Sequence, residues 1–369
     1  MTTYTASKSG IQADGSAIRL GFVPLNDCAP LVVAAEYGLF RRRGLRIRLC
    51  RELGWASVRD KLTHGELDLA HTPSPMPFTL RSGPVPEAAV TGLVLNLNGN
   101  AITLSEELWK AGVRDANTLA RHLRGLRNHV PTFGIVSSQS SHGYLLRKWL
   151  LRGGINPETC RFVVVPPPQM AGHLRAGHLD GYCAGEPWNT EAVAAGVGWI
   201  AATSSSLEPL HPEKVLTARA SFCQRHHEEH LAIIASLVEA CRWCDDPANH
   251  PEIAALLARR EYLNLPVGLL RGGWSGTVDR GHGHLVPDHE FTVFHRHDAN
   301  EPSPDKAAWV VNNLLEPASR SAFPAQSLGQ VFRMDLHRAA VELVRPFPSD
   351  SLPTPQPSPS AHAPENSRR

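Results

Sequence analysis

The sequence predicts an α/β protein, built as two compact units or as one large bilobed unit. Three observations carry that expectation. From residue 17 onward, short apolar runs alternate with amphipathic helical segments, the pattern left by a parallel or mixed sheet flanked by helices. The chain has 369 residues, more than one domain of about 100 to 200 residues accounts for. Hydrophobic residues make up 42% and charged residues 20%, enough for a core and incompatible with a collagen-like, fibrous or wholly disordered chain.

Taken in order, residues 18–23 read as a buried strand and 30–41 as a helix ending near Gly44. Leu45, Ile47 and Leu49 alternate with Arg46 and Arg48, giving a strand with one wet face. Residues 56–64 read as a helix, 67–70 as a short strand, and 90–96 and 101–104 as two more. A second block begins near Glu106. Its strands at 132–136, 162–165, 181–184 and 199–202 alternate with helices at 141–151, 170–176 and 187–195. Beyond Lys214 the pattern turns mainly helical, with 228–244 the longest apolar-periodic segment, a polar loop at 272–298, and helices at 306–315 and 335–344. The final segment, 346–369, holds seven prolines among Ser, Thr, Gln and Ala and has little to bury. The expected organisation is a flexible amino terminus at 1–16, a discontinuous lobe I at 17–105 plus 206–345, lobe II at 106–205, and a disordered tail at 346–369.

Charge and cysteine usage narrow the function. Lys+Arg total 37 against 35 Asp+Glu, a formal +2, with no like-charge block of the kind that makes a basic nucleic-acid arm. Direct nucleic-acid contact is not expected. The seven cysteines are odd in number and scattered, which suits reduced cytosolic thiols better than a disulfide framework. Residues 1–18 carry Lys8, Asp14 and many Ser, Thr and Gly without the apolar core of an export signal, so a cytoplasmic location is expected. No apolar run approaches the length of a membrane span.

Polar residues sit where an α/β lobe presents ligands, at the carboxyl ends of strands and the starts of the following helices. The segment SSQSSH at 137–142 offers hydroxyls, backbone N–H groups and a helix start to an anion; it could equally be self-capped by Ser141. GEPWN at 185–189 also follows a strand, and Gly185 lets a ligand approach the backbone, although a plain turn into a helix begun by Pro187 reads as well. Asp27 and Glu186 are the only carboxylates expected at the cleft edge, and they are expected to fix loops, since no nucleophile accompanies them. Cys241 and Cys244 form a C-x-x-C downstream of His226, His227 and His230. Metal or redox chemistry is conceivable there, but two thiols near the end of an amphipathic helix is the preferred reading. The histidines at 282, 284, 295 and 297 read as a surface loop, possible ligands or a face for a partner.

These segments together resemble the NrtA/CmpA-type anion-binding proteins, the substrate-binding components of nitrate and bicarbonate ABC transporters. The resemblance runs through GFVPLNDCAPLVVAAE (21–36), WASVRDKL (55–62), AHTPSPMP (70–77), NLNGNAI (96–102), VPPPQM (165–170), CAGEPWN (183–189) and HPEK (211–214), and spans about residues 17–345. It implies a type II periplasmic-binding-protein-like fold, two α/β lobes with a ligand cleft between them. Carried over position by position, it places nitrate or nitrite contacts on Trp55, Asn100, His142, Gly185 and Lys214, with no cofactor, no metal and no enzymatic activity. Nitrate spreads one charge over three oxygens, so an indole N–H, an amide, a ring N–H, a backbone N–H and one ammonium suit it. Asn100 stands where nitrate-transport members of the family carry glutamine, which shortens that arm. Lys214 stands where bicarbonate-binding members carry a carboxylate and recruit calcium, so the resemblance favours nitrate or nitrite. With no export signal, the likeness points to the cytoplasmic branch, the NasS-type nitrate/nitrite sensors. Their anion-free form holds an ANTAR-type RNA-binding antiterminator regulator (NasT-like), released when the anion binds. Two alternatives stand beside it. One is the binding component of a nitrate ABC transporter. The other is an enzyme of the thiamine-pyrimidine-synthase-like fold, whose reactive lysine and Cys-rich iron motif this chain lacks.

Overall fold

The structure, a computed structural model, describes residues 17–83, 86–126 and 129–344. The expected flexible amino terminus and Pro/Ser-rich tail lie outside the described residues.

Thirteen strands are present among them: β1 (Ile18–Phe22), β2 (Ile47–Arg51), β3 (Leu69–Pro73), β4 (Ala89–Asn98), β5 (Asn100–Ser105), β6 (Thr132–Ile135), β7 (Arg161–Val164), β8 (Gly181–Gly185), β9 (Gly198–Thr203), β10 (Pro212–Arg219), β11 (Thr277–Asp279), β12 (Leu285–Pro287) and β13 (Thr292–Val293). They form a six-stranded sheet of order β13-β4-β10-β3-β1-β2, a five-stranded sheet of order β7-β6-β8-β5-β9, and the hairpin β11-β12. β1 runs parallel to β2 and β3, and β6 parallel to β7 and β8; β10 and β5 run antiparallel to their neighbours. Buried on both faces, β4 and β8 are nearly continuous apolar runs rather than alternating ones.

Helices cover the larger sheet. His227–Cys244 packs against Ala29–Glu36 and Met334–Val341, and Leu31, Val32, Ile233, Ile234 and Leu237 are sealed in one cluster with Leu20 and Leu93. Fully burying each such side chain contributes about 1.5–3 kcal/mol. No helix among the described residues is long and apolar enough to cross a membrane.

The chain passes between the sheets in two places that matter for the site. At the first, Asn98 (φ 59) and Gly99 (φ 98) turn β4 directly into β5; a β-branched residue at Gly99 would be strained there. This corrects the expected lobe boundary: Asn100–Ser105 belongs to the five-stranded sheet, paired with β8 and β9, so the crossing falls at Asn98–Asn100 and not near Glu106. At the second, β9 ends in the short helix Ser204–Leu207, which leads to β10.

Two further expectations are corrected. The strand Pro212–Arg219 runs on into the region expected to be mainly helical after residue 214 and is buried between β3 and β4, in the middle of the larger sheet. Its polar start, Glu213-Lys214, masks the apolar run Val215-Leu216 that follows. The expected polar loop at 272–298 instead contains β11, β12 and β13, with Val278, Phe291, Val293 and Phe294 buried. This segment reaches across to the smaller sheet. The backbone of Arg280 accepts from Ile200 N–H at 3.1 Å, its Nε donates to Ile200 O at 2.8 Å, and its guanidinium also donates to Ala201 O. His282 stacks on Trp109, ring centroids 4.0 Å apart and planes within 3°, and pairs with Glu106 at 3.0 Å. His282 and His284 are thus held by this chain's own second lobe, while His295 bonds Asn300 and His297 pairs with Glu290. Cys241 and Cys244 are buried in the helix His227–Cys244, with the Cys241 thiol donating to Leu95 O at 3.6 Å.

Candidate functional site

Where the two sheets face each other, polar side chains from both collect in a place almost wholly shielded from water. β10 enters it with Glu213 and Lys214, β3 with His71, the turn after β1 with Asp27, β5 with Asn100, β8 with Gly185, and the helices Ser141–Arg152 and Trp55–His64 with His142 and Trp55.

Lys214 is its centre. Only 1% exposed, it donates from Nζ to Glu213 Oε1 at 2.7 Å, stands 2.9 Å from Asp27 Oδ2, and lies 5.8 Å from the Trp55 ring centroid. Burial alone would drive the ammonium to lose its proton, but the two carboxylates outweigh it and hold the pKa above the usual lysine range. The same contacts act in reverse on the acids. Burial pushes Asp27 up, and Lys214 with His71 brings it below its ordinary value; burial pushes Glu213 up, and Lys214 with His211 carries it well below.

Three histidines ring this core. His71 Nε2 is 3.1 Å from Asp27 Oδ1, and His211 Nε2 is 3.3 Å from Glu213 Oε2. Both are at ion-pair distance but off hydrogen-bond alignment, which leaves those atoms without a hydrogen-bond partner. His211 Nδ1 bonds Glu208 O at 2.8 Å. His142 Nε2 bonds Asn100 Oδ1 at 2.9 Å and lies 3.9 Å from Glu213 Oε1, while its Nδ1 is buried with no partner. Burial pushes His142 down to about 4, with Glu213 opposing and Lys214 reinforcing, so the ring is neutral near pH 7.

The other sequence-derived positions complete the arrangement. Asn100 is supported by the second crossing and by the helix Ser141–Arg152: its backbone N–H donates to Ser204 Oγ at 3.1 Å and its amide to Ser141 Oγ at 3.4 Å. Gly185 pairs directly opposite Asn100, and a Cβ there would stand 3.5 Å from Asn100 Oδ1 and 3.9 Å from Asp27 Oδ2, inside the site. Trp55 begins its helix after extended Gly54 and faces the His71 ring at 5.8 Å. Ser140, not Ser141, occupies the cap position of the helix after SSQSSH, and its side chain makes no cap bond, donating instead to Ser137 O at 2.7 Å.

The structure therefore brings Trp55, Asn100, His142, Gly185 and Lys214 to one point. It also corrects the charge expected there. Glu213 is a third carboxylate not anticipated at the cleft, and Asp27 pairs with Lys214 rather than merely fixing a loop. Lys214 is consequently not a free cation; with histidines counted neutral, Asp27, Glu213 and Lys214 sum to −1. Glu186 does tie the lobes, its carbonyl accepting from Asn26 N–H at 2.9 Å, while burial pushes its carboxyl up to about 7. His71, His211 and Glu213 escaped sequence reasoning. The available signal was a polar residue inside an otherwise apolar strand, as in Ala70-His71-Thr72. Among the described residues, no group of three or more His, Cys, Asp and Glu is arranged to hold a metal ion.

Comparison with known proteins fits this geometry. A model of the NMT1-like family matches residues 12–258. The nitrate import ATP-binding protein NrtC of Synechocystis is 37% identical over 303 residues, covering 80% of this chain and 45% of that protein. The chain thus spans about half the length of the curated relatives at the head of the comparison, among them a bicarbonate transport ATP-binding protein, CmpC, of Synechococcus elongatus at 36% identity. The nitrate/nitrite binding protein NrtA of Synechococcus elongatus is 30% identical, covering 93% of this chain and 82% of that protein. Among solved structures, the periplasmic nitrate-binding protein NrtA of Synechocystis superposes with a TM-score of 0.80 at 27% identity, covering 89% of this chain and 88% of that one. The aliphatic sulphonate binding protein SsuA of Escherichia coli, at 15% identity and TM-score 0.59, shares the two-lobed fold alone. By its family model and its likeness to NrtA, the chain belongs to the NMT1-like family, as a homologue of binding proteins rather than of enzymes.

Proposed function

We propose that the chain binds nitrate or nitrite between its lobes and serves as the substrate-binding component of an anion importer. One observation carries the reading: the five positions at which the NrtA/CmpA resemblance places ligand contacts arise from separate segments of both lobes, yet converge on one buried point. Each charge-assisted hydrogen bond contributes about 1.5–3 kcal/mol, against about 8 kcal/mol for micromolar affinity, so several donors and the exclusion of water must act together. The likeness to proteins named for nitrate and nitrite binding supports the ligand class.

Calorimetric titration with nitrate, nitrite and bicarbonate tests this, with small-angle scattering following lobe closure. Nitrate or nitrite should bind and compact the protein; heat from bicarbonate alone would refute the ligand assignment.

A second reading draws on a specific observation. Identity is higher to parts of proteins named for ATP binding, 37%, than to the free-standing NrtA, 30%, so chains of this kind also occur inside larger proteins that work where ATP is. That suits a cytoplasmic nitrate/nitrite sensor which holds an ANTAR-type, NasT-like antiterminator until the anion binds. Cell fractionation and co-purification separate the two roles: permease subunits support import, and an antiterminator released by nitrate supports sensing.

A further inference from the structure

We propose that this site takes up its anion together with one proton, and that the proton is held at Nδ1 of His142. The proposal rests on the nitrate/nitrite reading above and specifies the state in which the same site binds.

The first ground is the charge balance. Lys214 is enclosed by Asp27 at 2.9 Å and Glu213 at 2.7 Å, and all three side chains are at most 7% exposed. Its charge is already met. An arriving monoanion makes this buried place one unit more negative, at a cost of several kcal/mol where water is excluded. If a proton arrives with it, the buried charge is the same before and after, whatever charge His71 and His211 carry.

The second ground is the hydrogen-bond pattern at His142. Asn100 Oδ1 can only accept, so the 2.9 Å contact commits His142 Nε2 as a donor. A neutral ring then presents a lone pair at Nδ1, an atom that is buried and unpartnered. A lone pair repels an oxyanion. Protonation converts Nδ1 into a donor and the ring into the cation that Lys214 no longer provides. The proton comes from solvent and forms an N–H bond with that lone pair; no bond in the ligand breaks.

The groups facing His142 allow the change. From β10 these are Glu213 at 3.9 Å and Lys214, from the turn after β1 Asp27, and from the loop before β10 His211; on β8, the Cys183 thiol near Glu213 and Lys214 is kept neutral by burial. His71 lies beyond Asp27. Two carboxylates against one ammonium leave the surroundings able to accept an imidazolium. His211 differs in kind: its Nδ1 is bonded to Glu208 O and its Nε2 faces Glu213, so its partners belong to the protein with or without ligand. The neutral state of His142 near pH 7 agrees, since burial pushes its pKa down to about 4.

The test is calorimetry of nitrate binding in two buffers of different ionisation enthalpy near pH 7, with Kd measured from about pH 6 to 8. Uptake of about one proton is expected, and Kd should weaken about tenfold per pH unit, roughly 100-fold across the range. His142→Gln should abolish the proton count, and His211→Gln should retain it. If His142→Gln binds no nitrate, the wild-type count still decides uptake, and ¹⁵N spectra of histidine-labelled wild type decide its place: the His142 ring should become imidazolium on adding nitrate. Tight nitrate binding with a flat Kd and no proton uptake overturns the proposal, as does a proton count that survives in His142→Gln or vanishes in His211→Gln. Absence of nitrate binding throughout the pH range overturns instead the ligand reading on which it rests.

Discussion

Lys214→Met is the most informative perturbation, because it leaves the volume of a long side chain and removes only the charge. The ammonium holds Glu213 at 2.7 Å and Asp27 at 2.9 Å, and these carboxylates are 2% and 6% exposed. Removing one partner of a buried ion pair costs about 3–5 kcal/mol, and the two pairs share one ammonium, so their losses are not additive. We therefore expect a loss of about 3–5 kcal/mol near pH 8. The pH dependence gives a sharper signature. In the wild type both carboxyls are depressed, so their stabilisation is present above the unfolded values of about 4 and is lost as pH falls through the lower folded values. In the variant, burial acts with the ammonium gone and raises them; their contribution to stability is then greatest in acid and falls as pH rises, so the deficit from wild type grows with pH. Urea unfolding followed by tryptophan fluorescence at about pH 5 and 8 reads both effects, and adding Asp27→Asn with Glu213→Gln should restore most of the loss at pH 8. A variant within 1 kcal/mol of wild type at pH 8, or one whose deficit from wild type is no larger at pH 8 than at pH 5, would refute the buried triad.

Three other outcomes follow from the same structure. Glu186→Gln should stabilise the protein at pH 8 by up to about 3 kcal/mol and change little near pH 5, because burial raises the carboxyl from 4.5 to about 7 and the ionised form is the costly one; thermal melts at the two pH values check this. His230, fully buried without a partner and pushed down to about 4 mainly by burial, contributes stability that is complete above 6.5 and lost on acidification to about 4, roughly 3 kcal/mol; His230→Leu should flatten the acid limb of a stability-versus-pH curve. Gly185→Ala should fold with less than about 1 kcal/mol change, since the added methyl meets only ordinary contacts at 3.5 to 3.9 Å, yet weaken nitrate affinity measurably by calorimetry because those contacts lie within the site.

The alternation of strand and helix was readable wherever the chemistry was simple. The structure places the strands β1, β4, β6 and β8 and the helices after β6 and β8 within a residue or two of the expected bounds, whereas the helix after β1, expected to reach residue 41, is Ala29–Glu36. β10 was hidden because the residues that make the site, Glu213 and Lys214, interrupt the pattern that marks a buried strand. The segment 272–298 was hidden for another reason: its Gly and His content reads as loop, while Val278 and Phe291 find their burial against Ala101 and Ile200 of the other lobe and Phe294 in the distant core of the larger sheet, tertiary contacts that no local window contains. The five ligand positions came from motif likeness. The carboxylates around Lys214 depend on the fold, since Asp27 and Lys214 lie far apart in sequence and meet only because β10 runs beside β3.

The placement of β10 also dictates how the molecule can be made. The five-stranded sheet is contiguous in sequence, from Asn100 to Thr203, whereas the larger sheet has β3 and β4 separated by a strand that begins only at Pro212. On the ribosome the smaller lobe can close as soon as β9 emerges, while β3 and β4 wait with their inner edges unpaired. The cleft-forming strand is the keystone, the last piece to enter the middle of the sheet. A nascent chain arrested before Pro212 should show a protease-resistant second lobe beside an open first one, and Lys214 should meet Asp27 only at the step that completes the sheet.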